Sequence, residues 1–96
     1  MRYGYIRSKQ QSEYSLERQR NAIKQYDLAE VIEEKSGNDL DNLLNKLQAG
    51  DELYVESVER LTRSTIKLIE ITKTVREKGS TLYVDGKPFE LPTLIG

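Results

Sequence analysis

Short β-prone segments alternate with helical segments along this 96-residue chain, and this alternation limits the fold more than any other feature. The helical segments carry apolar residues three and four positions apart, whereas the β-prone segments are short and rich in Tyr, Val and Ile. Such alternation is typical of right-handed βαβ crossovers on a mostly parallel sheet. The predicted elements are strand Arg2–Ile6, helix 15–26, strand Val31–Ile32, helix 40–47, strand Leu53–Val58, helix 64–78 and strand Thr81–Val84.

The second helix and the C-terminal hairpin have the clearest signals. Four leucines of that helix follow the i, i+3, i+4, i+7 spacing of a face that packs on a core: Leu40, Leu43, Leu44 and Leu47. Asp85-Gly86 is typical of a two-residue hairpin turn, and Pro88 restricts the segment Lys87–Leu91 to an edge strand. The sequence therefore predicts one α/β domain over residues 1–96, with three layers, a mostly parallel four-stranded sheet and an antiparallel C-terminal edge strand.

Two helix starts can be assigned from capping residues. Ser15 offers an N-cap for the first helix, and Asn38 or Asp39 offers one for the second. Tyr3 and Tyr5 alternate with smaller neighbours, so we expect both to pack within the first strand.

The composition excludes several classes of protein. The chain contains no Cys and no His, which rules out a disulfide scaffold and predicts no metal site. No segment approaches the length of a membrane span, and the N-terminus lacks the apolar block of a signal peptide, so we expect a cytoplasmic protein. A nucleotide-binding domain is disfavoured because no glycine-rich phosphate loop is present, and we expect no small-molecule cofactor.

Charge distribution indicates where an anion would bind. The net charge is only −1, but basic residues crowd the N-terminal quarter. In parallel sheets ligands gather at the carboxyl ends of the strands, which here means the loops after Ile6 and Val58. Both loops carry arginines, so we expect Arg7, Arg60 and Arg63 to converge on one pocket that accepts an anionic oxygen.

Four segments resemble the catalytic domain of the serine recombinases of the resolvase/invertase type. Tyr3–Arg7 and Ser15–Gln19 are similar to the opening of that domain, Glu34–Gly37 to its intervening loop, and Glu59–Arg63 to its second signature. The similar segments occur in the family's order and at similar spacing over about residues 1–85.

The resemblance implies a DNA recombination protein in which a serine hydroxyl attacks a DNA phosphodiester and forms a phosphoserine link. It implies catalytic roles for Ser8, Arg7, Glu59, Arg60 and Arg63, with the arginines neutralising charge on the phosphoryl oxygens. It further implies DNA as partner, and a second copy or an active recombinase as a protein partner. DNA contacts are expected from Lys9, Ser12 and Arg18.

Several residues depart from the family pattern. Lys9 stands at the nucleophile position, Ser8 lies one residue before it and Ser12 three after, in a loop that is one residue longer than usual. Glu59 replaces the usual Asp and Thr62 the usual Gly, while Asn42 stands near the position of a missing arginine. The family's long C-terminal helix, which forms the dimer, and its helix-turn-helix domain have no counterpart in the 96 residues.

Two functional hypotheses remain open at this point. In the first, Ser8 or Ser12 cleaves DNA; in the second, the domain is catalytically silent and regulates by binding DNA or a partner recombinase. Ser8 and Ser12 also fit ordinary turn residues, and Glu34 and Glu59 fit surface carboxylates.

Overall fold

The predicted alternation of strands and helices is present in the computed structural model, which describes residues 1–8 and 12–90. Five strands form one sheet in the order β2-β1-β3-β4-β5, parallel except for the antiparallel pair β4 and β5. This confirms the predicted sheet and its edge strand. The elements are β1 (Arg2–Arg7), α1 (Glu13–Ile23), β2 (Glu30–Glu34), α2 (Asp39–Lys46), β3 (Glu52–Val55), a 3₁₀ helix (Val58–Arg60), α3 (Thr65–Glu77), β4 (Thr81–Val84) and β5 (Lys87–Pro88).

Most element boundaries differ from the predictions by one or more residues, among them the following three. Helix α1 begins two residues before Ser15, because the Ser12 side chain caps it and accepts a hydrogen bond from the Ser15 amide at 3.1 Å. Strand β3 ends at Val55 rather than at Val58, because the chain leaves the sheet there and forms the 3₁₀ helix from Val58 onward. The last strand is shorter than the predicted Lys87–Leu91, and Leu91 lies outside the described residues.

The sheet separates two apolar layers. On one face the leucine stripe of α2 packs with α3 against the inward side chains of β1, β3 and β4, among them the buried Tyr3 and Tyr5. On the other face α1 packs through Ile23 against Ile6 and Tyr54. A Cβ at Gly4 would lie 2.8 Å from the terminal methyl carbons of Ile23 and Leu28, so a larger residue there would require these two side chains to shift.

Three tyrosines extend the smaller layer across the sheet. Tyr54 of β3 stacks between Tyr26 and Tyr83, with ring centroids 4.5 and 4.7 Å apart. Burial and the hydrogen bond from its hydroxyl to Glu52 raise the pKa of Tyr54 to about 12. The strands β1 and β3 are neighbours in the sheet. Their carboxyl ends lie at one edge, with α1 on one face of the sheet and α2 and α3 on the other.

Candidate phosphate-binding site

Arg7 ends β1 and is fixed through its backbone. The Gln19 side chain accepts a hydrogen bond from the Arg7 amide at 2.7 Å and donates one to the Arg7 carbonyl at 3.0 Å. Gln19 is completely buried, so the pair of bonds ties the end of β1 to helix α1. Sequence reasoning missed this role, although Gln19 falls on the buried helix face between Leu16 and Ile23.

Arg7 and Arg63 line one open depression of about 500 Å³ at the carboxyl edge of the sheet. Lys67 of α3 adds a third cation, and the start of α3 at Ser64 contributes to the wall. Unpaired amides in the first turn of a helix favour an anion nearby. The remaining lining residues are Glu34, Gly37, Leu40, Asp41, Leu61 and Thr62.

Glu34 is buried, which corrects its interpretation as a surface carboxylate. It is only 4% exposed and accepts four hydrogen bonds at 2.8 to 3.1 Å. The donors are the Tyr5 hydroxyl and the amides of Gly37, Asp39 and Leu40. Asn38 is the N-cap residue of α2 but makes no side-chain capping bond. The Glu34 carboxylate, from the preceding strand, instead accepts the hydrogen bonds of the backbone amides at the start of that helix.

The Tyr5 hydroxyl interacts with one carboxylate and one cation of the depression, Glu34 and Arg7. It donates to Glu34 Oε1 at 2.8 Å, and it also interacts with the Arg7 side chain. Burial and the bond to Glu34 raise the pKa of Tyr5 well above its usual value, against a smaller lowering by Arg7. Tyr5 therefore stays protonated and remains a hydrogen-bond donor to Glu34.

Neither candidate nucleophile lines the depression. The Ser8 hydroxyl donates to the Glu34 carbonyl at 3.4 Å and hydrogen-bonds the Glu33 carboxylate, which holds the pKa of Glu33 below its usual value. Ser12 is used as the cap of α1. Lys9, which occupies the family's nucleophile position, lies outside the described residues.

Arg60 is placed apart from the other two arginines. It does not line the depression; its guanidinium donates to Ser15 Oγ of α1 at 3.1 Å and pairs with Glu56 at 3.4 Å. The expected convergence is therefore found for Arg7 and Arg63 and not for Arg60. The sequence pattern could not reveal this, because a phosphate and the carboxylate four residues earlier compete for the same guanidinium.

The other predicted residues lie on the surface. Glu59 is exposed and lines a second open depression of about 450 Å³ that also includes Arg63. Arg18 is exposed on α1. Within residues 1–8 and 12–90 no cluster of three or more metal-ligating side chains occurs, and no helix of that part of the chain is long and apolar enough to cross a membrane.

The comparisons with known proteins agree with the fold and with the sequence resemblance. Residues 2–93 match the family model of the resolvase N-terminal domain, and the chain belongs to this family. Among solved structures, the chain is similar to the C-terminal catalytic domain of ISC1926 TnpA, an IS607-like serine recombinase. The two share a TM-score of 0.67 and 20% sequence identity over 88% of this chain and 69% of that one, a likeness of fold. No curated protein matches the sequence.

Proposed function

We propose that this domain serves DNA recombination in the cytoplasm, and that it binds the phosphate backbone of DNA in the depression lined by Arg7 and Arg63. The observation that carries the proposal is that these two arginines, one at the end of β1 and one between β3 and α3, line the same depression. A guanidinium can donate two parallel hydrogen bonds to phosphate oxygens, which suits a backbone contact.

The charges of the depression support an anionic ligand. Arg7, Arg63 and Lys67 outnumber the two carboxylates, Glu34 and Asp41. The Glu34 carboxylate already accepts four hydrogen bonds, so its negative charge is partly compensated within the fold. The positive end of α3 at Ser64 adds to the attraction.

We further propose that strand cleavage is impaired in this chain. A nucleophilic serine must reach the phosphorus held by the arginines, and about 1 Å of misplacement costs around a hundredfold in rate. The Ser8 hydroxyl faces β2 at Glu33 and Glu34, while Ser12 caps α1. The domain would then act as a catalytically silent module that binds DNA and pairs with a second copy or an active recombinase, without a small-molecule cofactor.

DNA binding is tested with a short duplex and fluorescence anisotropy at several salt concentrations. Arg7→Ala and Arg63→Ala should each weaken binding about tenfold and reduce the slope of log K against log salt by about one, because each removes one phosphate contact. Lys73→Ala is the matched control, since Lys73 lies on the exposed face of α3 and pairs with Glu77. Equal effects of all three variants would contradict the proposed site.

Cleavage is tested separately with supercoiled DNA, by looking for nicks linked covalently to the protein. We expect no adduct. A covalent adduct that disappears in Ser8→Ala or Ser12→Ala would show an active enzyme instead. If the protein neither cleaves nor retains DNA, the partner-recombinase role is the function that remains.

A further inference from the structure

Glu56 and Arg60 form an ion pair on the side of the sheet that faces α1. Glu56 follows the end of β3, Arg60 ends the 3₁₀ helix, and their charged atoms approach to 3.4 Å. Both side chains are only 14% exposed. This differs from the pair of Lys73 and Glu77 on α3, which has the same i, i+4 spacing but side chains more than 60% exposed.

The surroundings hold this pair in place. The hydroxyl of Ser15, in the first turns of α1, accepts a hydrogen bond from the Arg60 guanidinium at 3.1 Å. Oε2 of Glu56 is buried and takes no hydrogen bond from any residue in the described part of the chain. A buried carboxylate in this state depends on its cation, so separation of the two charges would leave Glu56 uncompensated.

We infer that Glu56 is a positioning residue that holds Arg60 against helix α1 and keeps its guanidinium out of the phosphate-binding depression. The inference deepens the proposed function and rests on it: it states which cations of the two arginine-bearing loops are available to DNA. A phosphate would have to displace the Glu56 carboxylate from a mostly dehydrated pair before it could use Arg60. Arg7 and Arg63, by contrast, line the depression itself.

The test is a double-mutant cycle of Glu56→Gln and Arg60→Ala, with duplex DNA binding measured across a salt series. Glu56→Gln keeps the shape of the side chain and removes its charge, so phosphate no longer competes with a carboxylate for Arg60. We expect tighter binding, by about fivefold to tenfold, and a salt slope steeper by about one contact. Arg60→Ala should change wild-type binding by less than about twofold, yet remove the whole gain in the Glu56→Gln background.

Glu77→Gln is the matched control, because it deletes the same charge from an exposed i, i+4 pair. Its effect measures the general gain from removing one negative charge. The inference is overturned if Glu56→Gln gains no more than Glu77→Gln, or if Arg60→Ala weakens wild-type binding as much as Arg63→Ala does. Thermal unfolding of each variant establishes that it is folded under the assay conditions.

A measurement without DNA separates this inference from the proposed function. In ¹⁵N-arginine NMR spectra, the guanidinium protons of Arg60 should exchange slowly with solvent in the wild type and fast in Glu56→Gln. Glu56→Asp should retain part of the protection, since it keeps the charge. If the wild type fails to bind DNA, the proposed function is wrong, but slow exchange that depends on Glu56 would still support the positioning of Arg60. Fast exchange in the wild type would contradict it.

Discussion

Glu34→Gln tests whether the buried carboxylate organises the carboxyl edge of the sheet. Oε1 of Glu34 accepts from the Tyr5 hydroxyl and the Leu40 amide, and Oε2 accepts from the amides of Gly37 and Asp39. A glutamine has one acceptor oxygen and one NH₂ group, so it cannot satisfy all four donors. Its best orientation turns the NH₂ group toward Tyr5, whose hydroxyl can accept, and leaves the Leu40 amide without a partner.

The cost follows from these contacts. A buried amide left without an acceptor costs about 1–3 kcal/mol. Loss of the negative charge at the start of α2 adds about 1 kcal/mol, because a carboxylate there interacts favourably with the helix dipole. The free energy of unfolding should therefore fall by about 2–4 kcal/mol, a large part of the roughly 5–15 kcal/mol that stabilises an ordinary domain.

Urea denaturation at neutral pH, followed by circular dichroism, measures this change. The melting temperature should fall by on the order of 10–20 °C for a domain of this size. Glu33→Gln is the control: Glu33 precedes Glu34 on the same strand, but its carboxylate is partly exposed and pairs with Arg20 at 3.1 Å. We expect the control to lose less than about 1 kcal/mol, as exposed ion pairs do. Equal losses in the two variants would refute the assignment of Glu34 as the cap of α2.

Two further predictions concern alkaline pH and the hairpin. The unfolded chain ionises Tyr54 near pH 10, while the folded domain retains that proton up to about 12, so stability from this group is complete below pH 10 and is lost as the pH rises toward 12. Urea denaturation at pH 9 and pH 11 should show a smaller pH-dependent loss for Tyr54→Phe than for the wild type; equal losses would contradict the burial of this hydroxyl. Gly86→Ala should lower the free energy of unfolding by more than about 1 kcal/mol, because Gly86 has a φ of 79° and an added Cβ would collide with the Tyr26 hydroxyl. Gly37→Ala is its control in the same denaturation assay, since its φ is also positive but its Cβ would meet nothing within 4 Å, and identical losses would show that the Tyr26 contact is unimportant.

The fold was predictable because its signals are local. The leucine stripe of α2, the turn at Asp85-Gly86 and the alternation of strands with helices each depend on neighbours in sequence, and all three agree with the structure. The errors occur where a distant or competing contact decides the outcome. Ser12 and Ser15 both suit a helix cap, and in the structure it is the Ser12 side chain that caps α1.

The site was less predictable for the same physical reason. The sequence indicates that Arg7 and Arg63 follow two predicted strands that can be neighbours in a parallel sheet. Their shared depression could therefore be expected. The sequence does not show that the Gln19 side chain hydrogen-bonds both backbone groups of Arg7, or that the buried Glu34 carboxylate accepts four hydrogen bonds. Each of these contacts joins separate elements. Buried polar groups must find partners somewhere, but the sequence does not name the partner.

Arg60 shows why a matching motif does not by itself define a binding site. Its position within Glu59–Arg63 fits the family signature, and its charge is the one that a phosphate requires. However, Glu56 lies four residues earlier in the same chain, and its carboxylate pairs with Arg60 in the free domain. We therefore infer that a residue outside the signature decides whether this arginine can bind DNA. The same reasoning applies to Ser8, whose hydroxyl is adjacent to Arg7 in sequence but is engaged by β2.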